Sequence, residues 1–342
     1  MLHLQTELAS TLISASAGIS SVYMQQLLDV LEPDIPDIKN TAAAHLIDID
    51  RLKSDIRYRV PIYKALRLHE TINKQLDDPL FAIKTVFKLR LKSFPIMGYA
   101  MMASDTLELA IQRLARYEPL VWDAGQIELK KGPVKSLLVW SARHEVPALA
   151  VEMALAGWIN IGQKLLQFKK ASYTLYFQHS CPSTPEQYQS MFGCEVVHGA
   201  EKNAVEFPSE WLDITLADGD SQLTDVMDAK AQSLLDNYDT EINLENRIRS
   251  YIFKSLPHHT PELEEIAQKV GESPRHLRYL LTEQSLNFRT LVDDVRKETA
   301  LYFIRSGKHS LNEIAGFCGF AEQSSFNRAF KRWTGLVPSR YK

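Results

Sequence analysis

The feature that most constrains the fold of this chain is an internal repeat near its C-terminus. The pattern Leu-x-Glu-Ile-Ala, followed by two residues, an apolar residue and a glycine, occurs at Leu263–Gly271 and again 48 residues later at Leu311–Gly319. A short polar stretch and a second segment with apolar residues at helical spacing follow each copy. The repeat therefore predicts two copies of one supersecondary unit, each built from two short helices.

The residues of each copy are typical of a helix-turn-helix. Gly271 and Gly319 are predicted to end the first helix in the left-handed conformation, which is least costly for glycine. In the first copy Ser273 is predicted to cap the second helix, and Pro274 suits its first position. A plain helical hairpin has the same turn. Two copies, each followed by an arginine-bearing helix, favour units that place their second helix in the major groove of DNA.

The segment between the two copies predicts one amphipathic helix over residues 288–304. The two helix-turn-helix units are predicted at about 261–283 and 309–333, and this helix would fix the distance between them. Two recognition helices on one rigid chain can enter successive turns of a groove, about 34 Å apart. We therefore expect one asymmetric DNA site per monomer and no obligate palindrome.

The charge distribution agrees with an anionic partner for the C-terminal part. From residue 250 onward there are 14 Lys+Arg against 10 Asp+Glu, whereas residues 1–249 hold 25 against 32. A basic end on an acidic body favours nucleic acid. An excess of four charges is also within ordinary scatter, so charge by itself leaves both interpretations open.

The first 240 residues mix helix and strand patterns and predict an α+β domain. Apolar periodicity predicts helices over Ile19–Leu31, Ile62–Leu76, Leu107–Tyr117 and Ala148–Phe168, and strand-like composition marks residues 126–131, 135–142 and 172–179. Beyond residue 223 the period is almost entirely helical, and the polar segment 236–246 is the predicted linker. The predicted architecture is a multidomain chain, with an α+β domain over 1–240 and an all-α domain over 241–342.

Three C-terminal segments, 263–281, 296–304 and 311–342, together resemble the DNA-binding domain of AraC/XylS-type bacterial transcription regulators. The closing signature G-F-x-x-x-S-x-F-x-R-x-F-[KR]-[KR]-x-x-G-x-x-P-x-x-[YF] is filled from Gly319 to Tyr341. The resemblance covers about 85 residues and implies a DNA-binding, helix-turn-helix transcription regulator. It also implies that residues early in each second helix contact bases.

The candidate DNA contacts form two groups. Transferred position by position, the base contacts implied by the resemblance are Arg275, His276, Tyr279, Ser324, Ser325 and Arg328. Residues suited to phosphate contacts are Ser273, Arg278, Lys331 and Arg332. Arg275 and Arg328 are the favoured base readers, because arginine can bond guanine in a bidentate manner. The family commonly has arginine where this chain has Tyr279, so contact by Tyr279 or by Arg278 stays open.

The N-terminal part is similar to the "arabinose-binding" type of regulator domain, found in regulators of ornithine utilisation and of virulence. Gly98–Leu107, Ala110–Leu120 and Tyr188–Pro208 carry this similarity. It implies a small-molecule effector, without specifying arabinose, because ligands differ across that group. Tyr99, Trp140 and Trp158 are the candidate residues of an effector pocket; core packing is the alternative for these aromatic side chains.

The partners implied by this interpretation are double-stranded promoter DNA, RNA polymerase for an activator, the effector and a second copy of the chain in a homodimer. The chain has no apolar run long enough to span a membrane and no basic leader, so the expected location is the cytoplasm, at the nucleoid. We expect no cofactor. A regulator gated by protein–protein contact without a small ligand is the near alternative.

Enzymatic and metal-binding alternatives have weaker support. Gly219–Leu223 fits the G-D-S-x-L pattern of a class of esterases, but it lies late in the chain and no D-x-x-H follows it. Asp220 and Ser221 are predicted to cap the next helix instead. His258 and His259 have no nearby partners at metal-ligand spacing, and three cysteines indicate neither a disulfide framework nor a zinc site. We therefore predict a protein that is not an enzyme and binds no metal. An N-terminal enzyme or carrier that the helix-turn-helix units tether to DNA is the alternative from another class.

Overall fold

A computed structural model of the chain describes residues 18–143, 146–166, 172–238, 243–283, 286–307 and 309–341. The chain divides into two units, Met1–Asp239 and Thr240–Lys342. The first contains both helices and strands, and the second is helical, as the sequence predicted. Within the described residues, no helix combines the length and apolar character needed to cross a membrane.

The first unit contains ten described α-helices. They are α1 (Ser21–Leu31), α2 (Ile38–Ala44), α3 (Ile49–Ser54), α4 (Ile62–Leu76), α5 (Phe81–Lys88), α6 (Pro95–Met102), α7 (Leu107–Tyr117), α8 (Ala148–Leu166), α9 (Pro185–Phe192) and α10 (Ser221–Asn237). The predicted helices at Ile62–Leu76 and Leu107–Tyr117 are confirmed. The predicted helix at Ala148–Phe168 is confirmed to Leu166, and its last two residues lie outside the described part of the chain.

Within the described part of the first unit, seven strands form two sheets. They are β1 (Gly18–Ser20), β2 (Arg59–Pro61), β3 (Gly125–Lys130), β4 (Lys135–Ala142), β5 (Thr174–Phe177), β6 (Glu195–His198) and β7 (Asn203–Pro208). β1 and β2 form a small antiparallel pair, and the other five strands form one sheet in the order β3-β4-β7-β5-β6. The β5–β6 pair is parallel and is connected through α9, whereas the other neighbours in the sheet are antiparallel.

The N-terminal helix begins later than its apolar periodicity suggested. Periodicity predicts a start at Ile19, but Gly18–Ser20 pair with Arg59–Pro61, and the helix begins at Ser21. The Ser20 hydroxyl accepts the Tyr23 amide and caps the helix. Backbone pairing across about 40 residues therefore overrides the local helical period at these three positions.

Helix α8 forms the centre of the hydrophobic core of the first unit. Its residues Val151, Leu155, Trp158 and Ile159 are buried, and the partly buried Leu165 and Leu166 pack against the same core. The sequence left open whether this apolar stripe packs internally or associates with a second chain. In the structure the stripe is internal.

The second unit consists of six described α-helices. They are α11 (Asn243–Ser255), α12 (Leu263–Val270), α13 (Pro274–Glu283), α14 (Phe288–Ser306), α15 (Leu311–Phe317) and α16 (Gln323–Thr334). Helices α12–α13 and α15–α16 are the two repeated pairs, and α14 connects them. Helix α11 packs against both α12 and α14, and α14 packs against α15 and α16.

The predicted linker is shorter in the structure than its polar composition indicated. Helix α10 continues to Asn237, and α11 begins at Asn243, so both ends of the segment 236–246 are helical. Residues 239–242 lie outside the described residues. Asp220 accepts the backbone amides of Gln222 and Leu223 and caps α10, which confirms the structural interpretation of the Gly-Asp-Ser motif for this aspartate.

Candidate nucleic-acid interface

The first helix pair has the turn that its sequence predicts. Gly271 ends α12 with a φ of 84°, in the left-handed region. The Ser273 hydroxyl then accepts the backbone amide of His276 at 3.2 Å, which caps α13. This bond involves the oxygen of Ser273 as an acceptor, so its hydroxyl proton stays available to an external acceptor such as a phosphate.

Helix α13 has one buried face and one exposed face. Leu277 and Leu281 are buried against the rest of the unit. The exposed face carries the predicted DNA contacts of the first pair, which are Arg275, His276, Arg278 and Tyr279. Tyr279 is 57% exposed, and its ring stacks on that of His276 with centroids 6.2 Å apart and planes 16° from parallel. Among the described residues, no side-chain bond or ion pair holds Arg275 or Arg278.

The second helix pair begins with a capping box. The Ser310 hydroxyl accepts the Glu313 amide, and the Glu313 carboxylate accepts the Ser310 amide in return. The hydrogen bonds from Ser310 lower the pKa of Glu313. Gly319 follows α15 with a φ of 73°, at the position equivalent to Gly271. The two copies thus share the turn geometry that their sequences share.

Helix α16 is amphipathic in the way that its sequence indicates. Phe326 and Phe330 are fully buried, and Trp333 is partly buried beside Phe320. The opposite face carries the predicted contacts of the second pair: Ser324, Arg328, Lys331 and Arg332 are exposed, and Ser325 is partly buried.

Four of these side chains have partners on the protein surface, and Ser324 donates to the Glu322 carboxylate at 3.0 Å. Arg328 donates to the Ser325 hydroxyl at 3.3 Å, which holds two predicted base readers together. Arg332 forms an exposed ion pair with Asp293 of α14 at 3.0 Å. Exposed pairs contribute little to stability, so a phosphate can compete with Asp293 for this guanidinium.

A groove of about 730 Å³ runs between the start of α12, the start of α14 and helix α16. Four arginines line it, namely Arg289, Arg296, Arg328 and Arg332, together with Glu262, Glu264 and Asp293. Arg289 is exposed at the first turn of α14 and was missed in the sequence analysis, because it lies in neither repeat. Only the packing of α14 beside α16 brings it near the second recognition helix.

Arg296 of α14 connects both helix pairs to the helix between them. It donates to the carbonyl oxygens of Cys318 at 3.0 Å and Gly319 at 3.4 Å, and to the Thr260 hydroxyl. Its guanidinium also lies 4.7 Å from the centroid of the Phe320 ring. One side chain therefore fixes the turn of the second pair to α14 and to the residue preceding the first pair.

The two turn glycines provide a matched test of this geometry. An alanine Cβ at Gly319 would lie 2.9 Å from the Leu256 carbonyl oxygen, whereas one at Gly271 would meet nothing within 4 Å. We expect Gly271→Ala to cost about 1–2 kcal/mol, for the left-handed conformation alone. Gly319→Ala should cost a further ~1–3 kcal/mol because backbone atoms must move. Hydrogen exchange of the second unit in the full chain measures both, and equal losses would contradict the close approach at Gly319.

The candidate effector residues lie in three different environments. Tyr99 is 46% exposed on α6, and Trp140 is 1% exposed on β4, where a Cβ on Gly125 would overlap its ring. Trp158 is buried on α8 and lines a cavity. The structure therefore does not bring these three side chains together. Spacing along the chain gave no signal for this, because the three residues lie on different elements.

The cavity at Trp158 lies between helices α7 and α8 and the five-stranded sheet. Its volume is about 90 Å³, and its lining is almost entirely apolar. The side chains include Leu107, Ile111, Leu138, Val205 and Phe207. The polar groups at its edge are Gln163 and Tyr173, whose hydroxyl donates to the Phe192 carbonyl oxygen at 2.6 Å. A cavity of this kind suits a small apolar compound.

The metal and histidine candidates have ordinary partners. His259 bonds the Glu265 carboxylate at 2.7 Å, and Lys269 bonds the same group at 2.6 Å. The bond from Lys269 has the larger effect and the bond from His259 the smaller, and together they lower the pKa of Glu265 to about 2. Among the described residues, no three His, Cys, Asp or Glu side chains are grouped so that they could hold a metal ion.

Comparison with known proteins identifies both parts of the chain. Residues 37–216, more than half of the 342 residues, match the family described as the arabinose-binding domain of AraC transcription regulators, N-terminal. Residues 266–342 match a helix-turn-helix domain family.

Individual relatives are transcription regulators by name. The chain is 28% identical over 274 residues to the ornithine utilization regulator of Pseudomonas aeruginosa, covering 78% of this chain and 79% of that protein. It is 26% identical to the regulator VirS of Mycobacterium tuberculosis over 48% of each chain. The crystal structure of the regulator CdpR from P. aeruginosa aligns with a TM-score of 0.44 and 20% identity, over 90% of this chain and 97% of that one.

The family match and the two repeated helix pairs agree on one class of protein. The relatives named above are regulators, so the esterase interpretation of Gly219–Leu223 gains no support from them. This chain belongs to the AraC-type transcription regulators and is a DNA-binding regulator with an N-terminal ligand-binding type of domain.

Proposed function

We propose that one chain binds an asymmetric promoter site by placing α13 and α16 in successive turns of the major groove. The observation that carries this proposal is the pair of equivalent polar helix faces on one helical unit. Each recognition helix follows a left-handed glycine, buries its apolar side and exposes basic and hydroxyl side chains. Arg296 supports a fixed spacing between the two recognition helices, since it bonds to the turn of the second pair and to Thr260, just before the first pair.

The residues divide into base readers and phosphate contacts in this proposal. Arg275, His276 and Tyr279 of the first pair, and Ser324, Ser325 and Arg328 of the second, contact bases. Ser273, Arg278, Lys331 and Arg332 contact phosphates and set the register. Tyr279 is exposed and stacked on His276, which supports contact with a base. Arg278 lies one position away and is exposed, and we assign it to a phosphate.

A salt titration tests the phosphate assignment. Lys331 is exposed and has no side-chain partner among the described residues. We expect Lys331→Ala to weaken binding about equally for all DNA sequences and to reduce the slope of log affinity against log salt by about 1, the value for one lost phosphate contact. Lys202→Ala, at an exposed position of the first unit, is the control. An unchanged slope in Lys331→Ala would remove this residue from the interface.

The first unit is proposed to bind a small effector in the cavity beside Trp158, and the occupied state to alter promoter binding. A ligand shifts such an equilibrium only if it binds the two states with different affinity. Titrating the full chain on promoter DNA with and without candidate compounds tests this control. The similar regulator of Pseudomonas aeruginosa is named for ornithine utilization, whereas the apolar lining of the cavity here favours an apolar compound.

Tyr238 provides a physical connection between the first unit and the linker. It is the last described residue before residues 239–242, and its hydroxyl donates to the Asp123 carboxylate. Arg59 lies 4.8 Å from the centroid of its ring and also donates to the carbonyl oxygens of Pro119 and Leu120. A structural change in the segment 118–123 would therefore be transmitted to Tyr238, the last described residue before residues 239–242.

Self-association is a second role that the first unit supports. Leu223, Val226 and Leu234 are exposed apolar residues on α10. These residues provide a specific surface for the near alternative, in which protein–protein contact controls the regulator without a small ligand. A homodimer is the simplest form of such contact. Since promoter DNA is the partner of the second unit, we place the protein in the cytoplasm with RNA polymerase as a further partner.

A further inference from the structure

A second cavity adjoins the one beside Trp158 in the first unit. Its volume is about 30 Å³, and it shares the side chains of Leu114, Trp158 and Ile161 with the larger cavity of about 90 Å³. An apolar cavity of roughly 150 Å³ holds benzene. The two volumes together approach this value, so one site formed from both would suit a compound of about that size.

The smaller cavity has a buried carboxyl group in its lining, here called its polar end, and the described lining of the larger cavity has none. Glu118 lines the smaller cavity and is 5% exposed, and Trp158 lines the same cavity. Burial, which the nearby Trp158 indole only partly offsets, raises the pKa of Glu118 to about 8. At neutral pH the group is therefore mostly a carboxylic acid, which can donate its own proton to a ligand acceptor.

Trp122 adds a second buried donor to the lining of the smaller cavity. Its side chain is 6% exposed and lines the smaller cavity, and its indole nitrogen has no hydrogen-bond partner among the described residues. A buried donor without a partner is costly, so an acceptor atom of a ligand would be stabilised there.

The lining of both cavities lacks the side chains that would bind an anion. No Lys, Arg or His is among the described residues that line either one. A carboxylate or phosphate would thus be buried without a countercharge. Two donors and an apolar wall suit an uncharged oxygen, such as that of an alcohol, aldehyde, ketone or amide.

We propose that the two adjoining cavities form one binding site for a small uncharged molecule with an apolar body and one hydroxyl or carbonyl oxygen, which Glu118 and Trp122 bind. The apolar body occupies the larger cavity beside Trp158, and the oxygen occupies the smaller one. The inference rests on the proposed effector function of the first unit and specifies the class of ligand.

Four benzene derivatives of similar size test the ligand class by calorimetry on the full chain at pH 7. They are benzyl alcohol, toluene, benzoate and benzylamine, which differ in the polar group and its charge. We expect benzyl alcohol to bind about ten-fold more tightly than each of the others, the effect of one or two buried hydrogen bonds. If toluene bound as tightly as benzyl alcohol, the polar end would not be part of the binding site. Tightest binding of benzoate or of benzylamine would overturn the uncharged class.

Two variants test the named residues, and a third is their matched control. Trp122→Phe removes one N–H, and we expect a roughly three-fold loss in affinity for benzyl alcohol and none for toluene. Glu118→Leu removes the other donor and should have an effect of about the same size. It also keeps the test open if Trp122→Phe fails to fold. Trp140 also has a buried indole nitrogen without a described partner but lines neither cavity, so Trp140→Phe should leave benzyl alcohol binding unchanged.

Promoter binding separates failure of this inference from failure of the proposed function. If benzyl alcohol binds as expected and promoter affinity does not change, the ligand class is supported and the regulatory role of the site is wrong. If benzyl alcohol does not bind, or Trp122→Phe has no effect on it, the site assignment is wrong whatever the DNA result.

Discussion

Replacing both Arg275 and Arg328 by alanine should abolish sequence-specific DNA binding. A bidentate arginine–guanine pair contributes about 1–3 kcal/mol of discrimination. The two residues lie on different recognition helices, so their losses should add to roughly 2–6 kcal/mol, or about 30- to 10⁴-fold in affinity. Both side chains are exposed, so the variants should fold normally. Fluorescence anisotropy on promoter DNA measures the loss.

The single variants locate each arginine within the DNA site. Arg275→Ala should relax base preference only in the half contacted by α13, and Arg328→Ala only in the half contacted by α16. Arg57→Ala, at an exposed arginine of the first unit, is the control and should leave specific binding unchanged. If either recognition-helix variant kept wild-type base preference across the whole site, its assignment as a base reader would be wrong.

The second large effect is on stability, and its sign depends on pH. The pKa of Glu118 is about 8 in the folded chain against a usual 4.5, because the carboxyl group is buried. Between these values the unfolded chain is ionised and the folded chain keeps the proton, so stability is lost as pH rises. The loss amounts to about 1.4 kcal/mol per pH unit, or roughly 3 kcal/mol at pH 7.

Glu118→Gln isolates this contribution. Glutamine cannot ionise, and its side chain has nearly the same size and shape as that of glutamate. We expect the variant to gain stability relative to the wild type as pH rises from 5 to 8, by about 3 kcal/mol in denaturant unfolding. Glu128→Gln, at an exposed position of β3, should show a flat difference. A flat difference for Glu118→Gln too would mean that this carboxyl group is solvated.

A buried histidine makes the stability depend on pH in the opposite direction. Its contribution cancels when Glu118→Gln is compared with the wild type. His69 is fully buried and burial lowers its pKa to about 4, so stability is lost as pH falls from about 6.5 toward 4. Both the wild type and Glu118→Gln contain it. Only the difference between the two proteins therefore reports on Glu118, and the absolute curve of either protein reports on both groups.

The second unit was predictable because its signals are local. Turn glycines, caps and apolar residues three and four apart act within a few residues, and the repeat doubles each signal. The part that escaped prediction depends on contacts between distant segments. Arg296 lies on a helix that was predicted, but its bonds to Cys318 and Thr260 exist only once three segments pack together.

The residues of the effector cavity were even less predictable from local sequence signals. Trp158 was a candidate because it is aromatic, which is equally typical of core residues. Glu118 and Trp122 were not candidates, since a single carboxylate or indole in the sequence looks like any other. Their role becomes visible only because α8 brings Trp158 against the turn that follows α7. Burial, and not residue type, distinguishes these groups.

The most direct test of DNA recognition by two helices of one chain is a hydroxyl-radical footprint of the full chain on its promoter. We predict two protected segments on one face of the duplex, about one helical turn apart. Arg275→Ala should weaken protection of one segment and Arg328→Ala that of the other. A single protected segment, or a footprint that neither substitution alters, would contradict this account.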